Sequence, residues 1–552
     1  MLKSSCRKQD LVNLCNSNNM NRRKFLRNTV PVAVTMPALL NGFSFTAQGA
    51  ESGLARLLEQ TLTDTDHVFV LVQLAGGNDG LNMVIPLDVY GNYYNARTNV
   101  AIPQSQVLRL DGTDKSGLHP AMTAMQNMFN EGKMSIVQSV GYENPNFSHF
   151  RATDIWNSGD PRENRRERVK TGWMGRYLES EYPGYPDAYP DATMPDPLAI
   201  QISNFPTLTV QGSVYSMGLS ITDPENVYTF DNPFSDYPLN AAPANKELKF
   251  LRVISEKTKI YSDIIRTAYQ RVATLAAYPS ENVLADQLKI VARLIKGGLK
   301  TRVYSVTMGG FDTHKRQVNA SDTTTGFHAR LMKDLSAGIS AFQQDLELMG
   351  LEERVIGMTF SEFGRRIKSN ASLGTDHGAA APLIIFGKHA KKGILGNSPD
   401  IPADIQVVNN IPFQYDFRSV YASILEQWFC VKQPALNSIM LQNYQSLPLI
   451  TGPCGVADDP DDINNNSNNL LLKMWPNPYN VSATIQFSTS GGHTMIQQID
   501  ALGRVIKVLT NQEYVAGTYN VDIYNDGLAS GVYFLRLQNK SLQKVISVMK
   551  LP

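Results

Sequence analysis

The run HVFVLVQL at residues 67–74 has almost no polar relief. A strand that alternates apolar and polar residues hides one face. A strand that is apolar throughout must be covered on both, and this is the pattern of a central strand in an α/β fold. Further runs of the same kind are KMSIVQSV at 133–140, TRVYSVTM at 301–308, RVIGMTF at 354–360 and PLIIFG at 382–387. Between them stand segments with helical spacing of apolar residues, over 118–131, 246–277, 281–297, 326–349 and 415–430. Strands alternating with helices give a mostly parallel sheet with helices on both faces. At 552 residues the chain is too long for one core, so more than one domain is expected.

The residues just past each strand matter more than the strand itself. The first strand runs into Ala75-Gly76-Gly77-Asn78-Asp79-Gly80, the third into Gly309-Gly310-Phe311-Asp312-Thr313-His314, the fourth into Ser361-Glu362-Phe363-Gly364-Arg365-Arg366. Open α/β sheets bind ligands at the carboxyl ends of their strands, and those ends converge on one edge. Asp79, Asp312 and Glu362 thus come to one edge, with His314, Asp376 and His377 in adjoining turns. Each alone also reads as a turn former or a helix cap. Together, oxygen and imidazole ligands of this mix suit one or two divalent ions: zinc, manganese, calcium or magnesium. After the second strand, Ser148 stands at the start of a helix expected to run through Trp156. A hydroxyl there is most commonly an N-cap; it also faces the positive end of the helix, a ready place for a phosphate or sulfate.

The motifs LAGGNDG (74–80), NFSHFRA (146–152), GGFDTH (309–314), FSEFGRR (360–366) and GTDHGAAAPLIIFG (374–387) resemble the alkaline phosphatase superfamily and, within it, the family called domain of unknown function 1501. The resemblance spans roughly residues 65–430. It implies an alkaline phosphatase-like fold and a metal-dependent hydrolase of phosphate or sulfate esters. Asp79 matches the first metal carboxylate, Asp312 and His314 the second acidic and imidazole pair, and His377 the last histidine before the closing strand. Glu362 stands where the superfamily usually has an Asp-His pair, a departure. Ser148 matches the nucleophile, with His149 as general acid and Arg151 or Arg365 as a clamp on the anion; the plainer reading of Arg365-Arg366 is a solvated pair. Ser148 is followed by His149-Phe150-Arg151 and not by the signature usual in sulfatases, which points to phosphate before sulfate. The alternative is a non-catalytic cell-surface protein that uses the cleft to bind a glycan or partner.

The two ends speak of export. Asn21-Arg22-Arg23-Lys24-Phe25-Leu26 precedes a modest apolar stretch and small residues around 47–50, which resembles a Tat signal. Residues 457–469, ADDPDDINNNSNN, form a polar linker. Beyond it, short alternating runs with Gly and Asn turns read as a small β-sandwich. Its residues 475–479 (WPNPY), 503–505 (GRV), 528–533 (LASGVY) and 544–550 look like a type A sorting domain of the type IX secretion system. The organisation expected is an export signal over 1–50, the α/β domain over 51–455, a linker over 456–470 and the sandwich over 471–552. The product is then periplasmic in transit and extracellular or surface-attached at the end. Its partners are the Tat and type IX machinery and a small anionic or glycan-linked ester. A net charge of +1 gives no bulk attraction for nucleic acid or another polyanion. Cys430 and Cys454 can pair in an oxidising compartment or stand as free thiols.

Overall fold

The computed structural model describes residues 66–164, 166–226, 244–452 (side chains from 257), 454, and 472–551 with short gaps at 490, 501–502, 516, 525–526 and 540–541. It also describes a hairpin of Pro37–Leu40 with Phe43–Thr46. The chain divides into two compact units, residues 1–64 and 65–552. The twin-arginine segment and the linker at 456–470 lie outside the described residues.

The second unit is built on a nine-stranded sheet. In chain order its strands are β1 (Val68–Leu74), β2 (Met134–Gly141), β3 (Ala199–Ile202), β4 (Gly218–Ile221), β5 (Val303–Met308), β6 (Val355–Phe360), β7 (Ala381–Phe386), β8 (Gly393–Leu395) and β9 (Tyr415–Asp416). The spatial order is β8-β2-β7-β6-β1-β5-β3-β4, with β9 also pairing β2. Only β7 runs against its neighbours β2 and β6; every other pairing is parallel. Strand direction leaves no mark on a run buried on both faces, so the reversal of β7 is silent in its composition.

β1 shows why the sheet sits where it does. Phe69 and Leu71 enter one core with Trp156, Trp173 and Tyr421. Val68, Val70, Val72 and Leu74 enter the opposite core with Leu288, Met332 and Phe342. Each such side chain contributes about 2 kcal/mol by leaving water. The helices that cover the second face include α2 (Val283–Lys296) and α3 (Phe327–Leu348). Helix α1 (His149–Ser158) lies on the first face through Ile155 and Trp156. The helix expected over 118–131 is shorter, Thr123–Asn130, because Leu118 ends a strand, Thr113–Leu118. A small three-stranded sheet formed by that strand with Val84–Pro86 and Leu108–Leu110 was not legible, its strands being too short to show a period.

Cys430 and Cys454 form a disulfide across 24 residues. Closing a loop of that length removes unfolded-state entropy worth about 3 kcal/mol. Cys454→Ser is therefore expected to lower the urea unfolding free energy by about 2–4 kcal/mol, and adding reductant should destabilise the wild type but not the variant. Residues from Leu472 to Lys550 form two antiparallel sheets of three and four strands around Met474, Ile485, Phe487, Leu535 and Leu537, the β-sandwich expected. Among the described residues no helix is long and apolar enough to cross a membrane.

Candidate metal centre

The carboxyl ends of β1, β5 and β6 lie side by side, as parallel pairing requires. Gly76 begins the turn after β1. Its N–H donates to Glu362 Oε1 at 2.8 Å, and its carbonyl accepts from Arg365. Its φ is +125°, and a Cβ there would fall 2.4 Å from the backbone nitrogen of Asp312. Only glycine lets these three strand ends meet this closely.

Three histidines gather over that meeting point. His149 Nδ1 lies 2.8 Å from Glu362 Oε1, His314 Nδ1 lies 2.9 Å from Asp376 Oδ1, and His377 Nδ1 lies 2.9 Å from the carbonyl of Phe147. Those oxygens, as carboxylates and a carbonyl, only accept, so each Nδ1 must carry the proton. The neutral ring then holds its lone pair at Nε2. All three Nε2 atoms face Asp312: 3.6 Å from Oδ2 for His149, and 3.1 and 3.3 Å from Oδ1 for His314 and His377. His314 Nε2 and His377 Nε2 are themselves 2.9 Å apart. Two lone pairs that close repel unless a proton or a metal ion stands between them. His149, Asp312 and His377 offer ligand atoms all within 4.8 Å of one another, a possible metal site.

Arg365 is neither solvated nor aimed at an incoming anion. It is buried, and it donates to the carbonyls of Gly77 (2.6 Å), Thr375 (2.8 Å), Phe311 (3.0 Å) and Gly76, and to Asp312 Oδ1 at 2.7 Å. Burial works to raise the Asp312 pKa, but the Arg365 hydrogen bond and charge prevail and hold the carboxyl below its ordinary value. Burial lowers the His377 pKa and favours the neutral ring. Asp376 accepts from His314 and from Asn370 Nδ2 at 3.1 Å; against the pull of burial these partners keep its carboxyl low. The buried ring of Phe363 packs on His149 and His377, 4.9 and 4.5 Å between centroids, and covers one side of the cluster.

Asp312, His149, His314 and His377 thus come together, and Glu362 and Asp376 orient two of the rings. Asp79 sits apart from them. It is fully buried, accepts from Arg97 Nη1 at 2.8 Å on both oxygens and from Gln317 Nε2 at 2.6 Å. Gln317 Oε1 in turn accepts from Thr313 and Thr375, the residues beside Asp312 and Asp376. Arg151 donates to the carbonyls of Asp160 and Arg162. Ser148 is at the helix start, exposed, next to His149, and its side chain makes no capping hydrogen bond. Arg97 and Gln317 were missed. Both lie in aperiodic segments, and nothing local ties them to Asp79.

Residues 264–427 match the family described as protein of unknown function, DUF1501, and residues 473–550 match the secretion system C-terminal sorting domain. No curated relative matches the chain. Among solved structures it is similar to PorZ, a surface component of the type IX secretion system of Porphyromonas gingivalis, at 19% identity over 19% of this chain and 14% of that one (TM-score 0.12). It is also similar to a structure from a study of glycosaminoglycan metabolism by Bacteroides thetaiotaomicron, at 7% identity over 80% and 89% of the two chains (TM-score 0.33). A third is a sulfatase from Pseudoalteromonas sp., at 11% identity over 83% and 84% (TM-score 0.30). The type IX sorting domain marks the chain for export to the cell surface or the extracellular space.

Proposed function

We propose that this exported chain, with its DUF1501 region and its sorting domain, is a metal-dependent hydrolase of phosphate or sulfate esters. The observation that supports it best is the convergence of three Nδ1-anchored imidazoles on one carboxylate. His149, His314, His377 and Asp312 would hold the ion. Three imidazoles favour zinc over magnesium, calcium or manganese, which prefer oxygen donors. The remaining acids are already engaged, Glu362 and Asp376 by imidazoles and Asp79 by Arg97, which further disfavours the oxygen-seeking ions. When bound, the ion would polarise the ester oxygens and stabilise charge that develops on them.

The chain's own residues supply the rest. Ser148 Oγ, exposed and uncapped at the start of α1, is the nucleophile. It attacks phosphorus or sulfur in line: the Oγ–P or Oγ–S bond forms, the P–O or S–O bond to the leaving alcohol breaks, and the proton lost from Ser148 ends on the departing oxygen. Water then attacks the same phosphorus or sulfur, the bond to Oγ breaks, one water proton returns to Ser148, and phosphate or sulfate is released. Glu362 and Asp376 keep two imidazoles in the tautomer that presents Nε2, as outer carboxylates do in metal sites. The free N–H groups at the start of α1 favour a bound anion. Buried Arg365 holds Asp312 in place.

The test is an ester panel, 4-nitrophenyl phosphate and 4-nitrophenyl sulfate, with metal content measured alongside. Ser148→Ala is expected to lower kcat by about 10⁴-fold for whichever ester is turned over, with metal content unchanged. Turnover unaffected by that change would remove Ser148 from the chemistry. Bound metal with no turnover of any ester would leave the second reading, a surface protein that binds a glycan.

A further inference from the structure

Residues 160–170, DPRENRRERVK, hold five cations and three acids, in a chain whose whole net charge is +1. Averaged composition hides this segment; the structure shows where it sits. It comes directly after α1 and is closed on itself by Asp160. The Asp160 carboxylate takes Arg162 Nε at 2.7 Å and the N–H of Val169 at 2.7 Å. Arg168 donates back to the carbonyls of Arg162 (3.1 Å) and Glu163 (2.8 Å). Arg151, in the first turn of α1, fixes the same loop through the carbonyls of Asp160 (3.0 Å) and Arg162 (2.6 Å). Glu163 meets Asn146, two residues before Ser148. The loop is therefore a built feature pinned beside the start of α1.

Its internal bonds use Arg162 and Arg168. Arg166 and Lys170 are exposed and make no ion pair among the described residues. Two uncommitted cations on a loop tied to the start of α1 through Arg151 and Glu163 have an evident complement, a second anionic group on a molecule whose ester lies at that helix start. Phe150, in the first turn of α1, adds a ring 88% exposed, an apolar face on which a sugar ring can stack. The chain is exported, which places it where polysaccharides are. We propose that Arg166 and Lys170, with Phe150, form a subsite for further anionic groups of a polyanionic glycan, so that the substrate is a multiply sulfated or phosphorylated chain rather than a lone monoester. This rests on reading the neighbouring His/Asp cluster as an ester hydrolase.

The experiment uses the full chain and three probes: dextran sulfate, uncharged dextran and single-stranded DNA. Binding is followed by calorimetry at two salt concentrations, and inhibition of 4-nitrophenyl ester turnover is followed in parallel. Wild type should bind dextran sulfate, more weakly at high salt, and not dextran. Arg166→Gln with Lys170→Gln should weaken that binding about tenfold, the loss of two ionic contacts of ordinary surface strength. The KM for the small ester should stay unchanged. Arg504→Gln with Lys507→Gln, on the exposed face of the sandwich, should change nothing. Equal losses in the two double variants, no binding of dextran sulfate, or tighter binding of DNA would overturn the proposal. The two readings separate cleanly. Loop-dependent binding without ester turnover keeps the subsite and removes the hydrolase. Turnover that dextran sulfate does not inhibit keeps the hydrolase and removes the subsite.

Discussion

Asp312→Asn is expected to empty the site of metal and to cut ester turnover roughly 10³-fold, about 4 kcal/mol of transition-state stabilisation. The reason lies in what the three imidazoles share. Each is anchored from behind at Nδ1, by Glu362, Asp376 and the Phe147 carbonyl, and each turns Nε2 toward the one carboxylate. Replace that carboxylate by an amide and the anionic member of the set is gone, while the shape remains. The fold should survive. Arg365 keeps its four backbone carbonyl acceptors, and Asp312 is about half exposed. Mass spectrometry for metal, circular dichroism for the fold and the ester assay together read the outcome. Metal content and turnover equal to wild type would sink the metal centre.

The parts of this site that sequence displays are the parts set by strand ends. A run buried on both faces that ends in an acid or a histidine, after a glycine break for Asp312 and His314 and directly for Glu362, puts these three on one edge, because β1, β5 and β6 are parallel neighbours. Roles were less legible than positions. Glu362 and Asp376 read as ligands like the others, since a carboxylate looks the same in sequence whether it faces an ion or the back of an imidazole. Asp376 and His377 are adjacent on a short strand, Thr375–His377, paired with Arg365–Ser369. Neighbours on a strand point to opposite faces, and here His314 lies between them, with Nδ1 to one and Nε2 to the other. Arg365 read as a solvated residue or an anion clamp. Its burial depends on four carbonyls, from the turns after β1 and β5 and from the strand Thr375–His377, and no local pattern encodes that.

Arg97→Met is expected to destabilise the chain by about 3–5 kcal/mol at neutral pH, the cost of leaving one buried charge without its partner. Asp79 and Arg97 are both fully buried. Burial by itself would raise the Asp79 pKa; Arg97 overrides it, so the net direction is down. A folded-state pKa below the unfolded value gives stability that is present above the unfolded pKa and lost as pH falls through the folded one. In the variant burial, the largest single effect, is opposed only by the Gln317 hydrogen bond and His328, and the sign inverts: the folded state favours the protonated acid, and stability falls as pH rises past the unfolded pKa of about 4. The deficit relative to wild type should therefore be large at pH 7 and shrink toward pH 4, as read by urea unfolding at both values. Adding Asp79→Leu to the variant should restore part of the loss, since a buried pair removed whole costs far less than one broken. The same change should reach the metal centre, because Asp79 holds Gln317, and Gln317 holds Thr313 and Thr375 beside Asp312 and Asp376. A loss under about 1 kcal/mol that does not vary with pH would show that Asp79 is not ionised, and that the pair beneath the site is not what keeps those two turns in register.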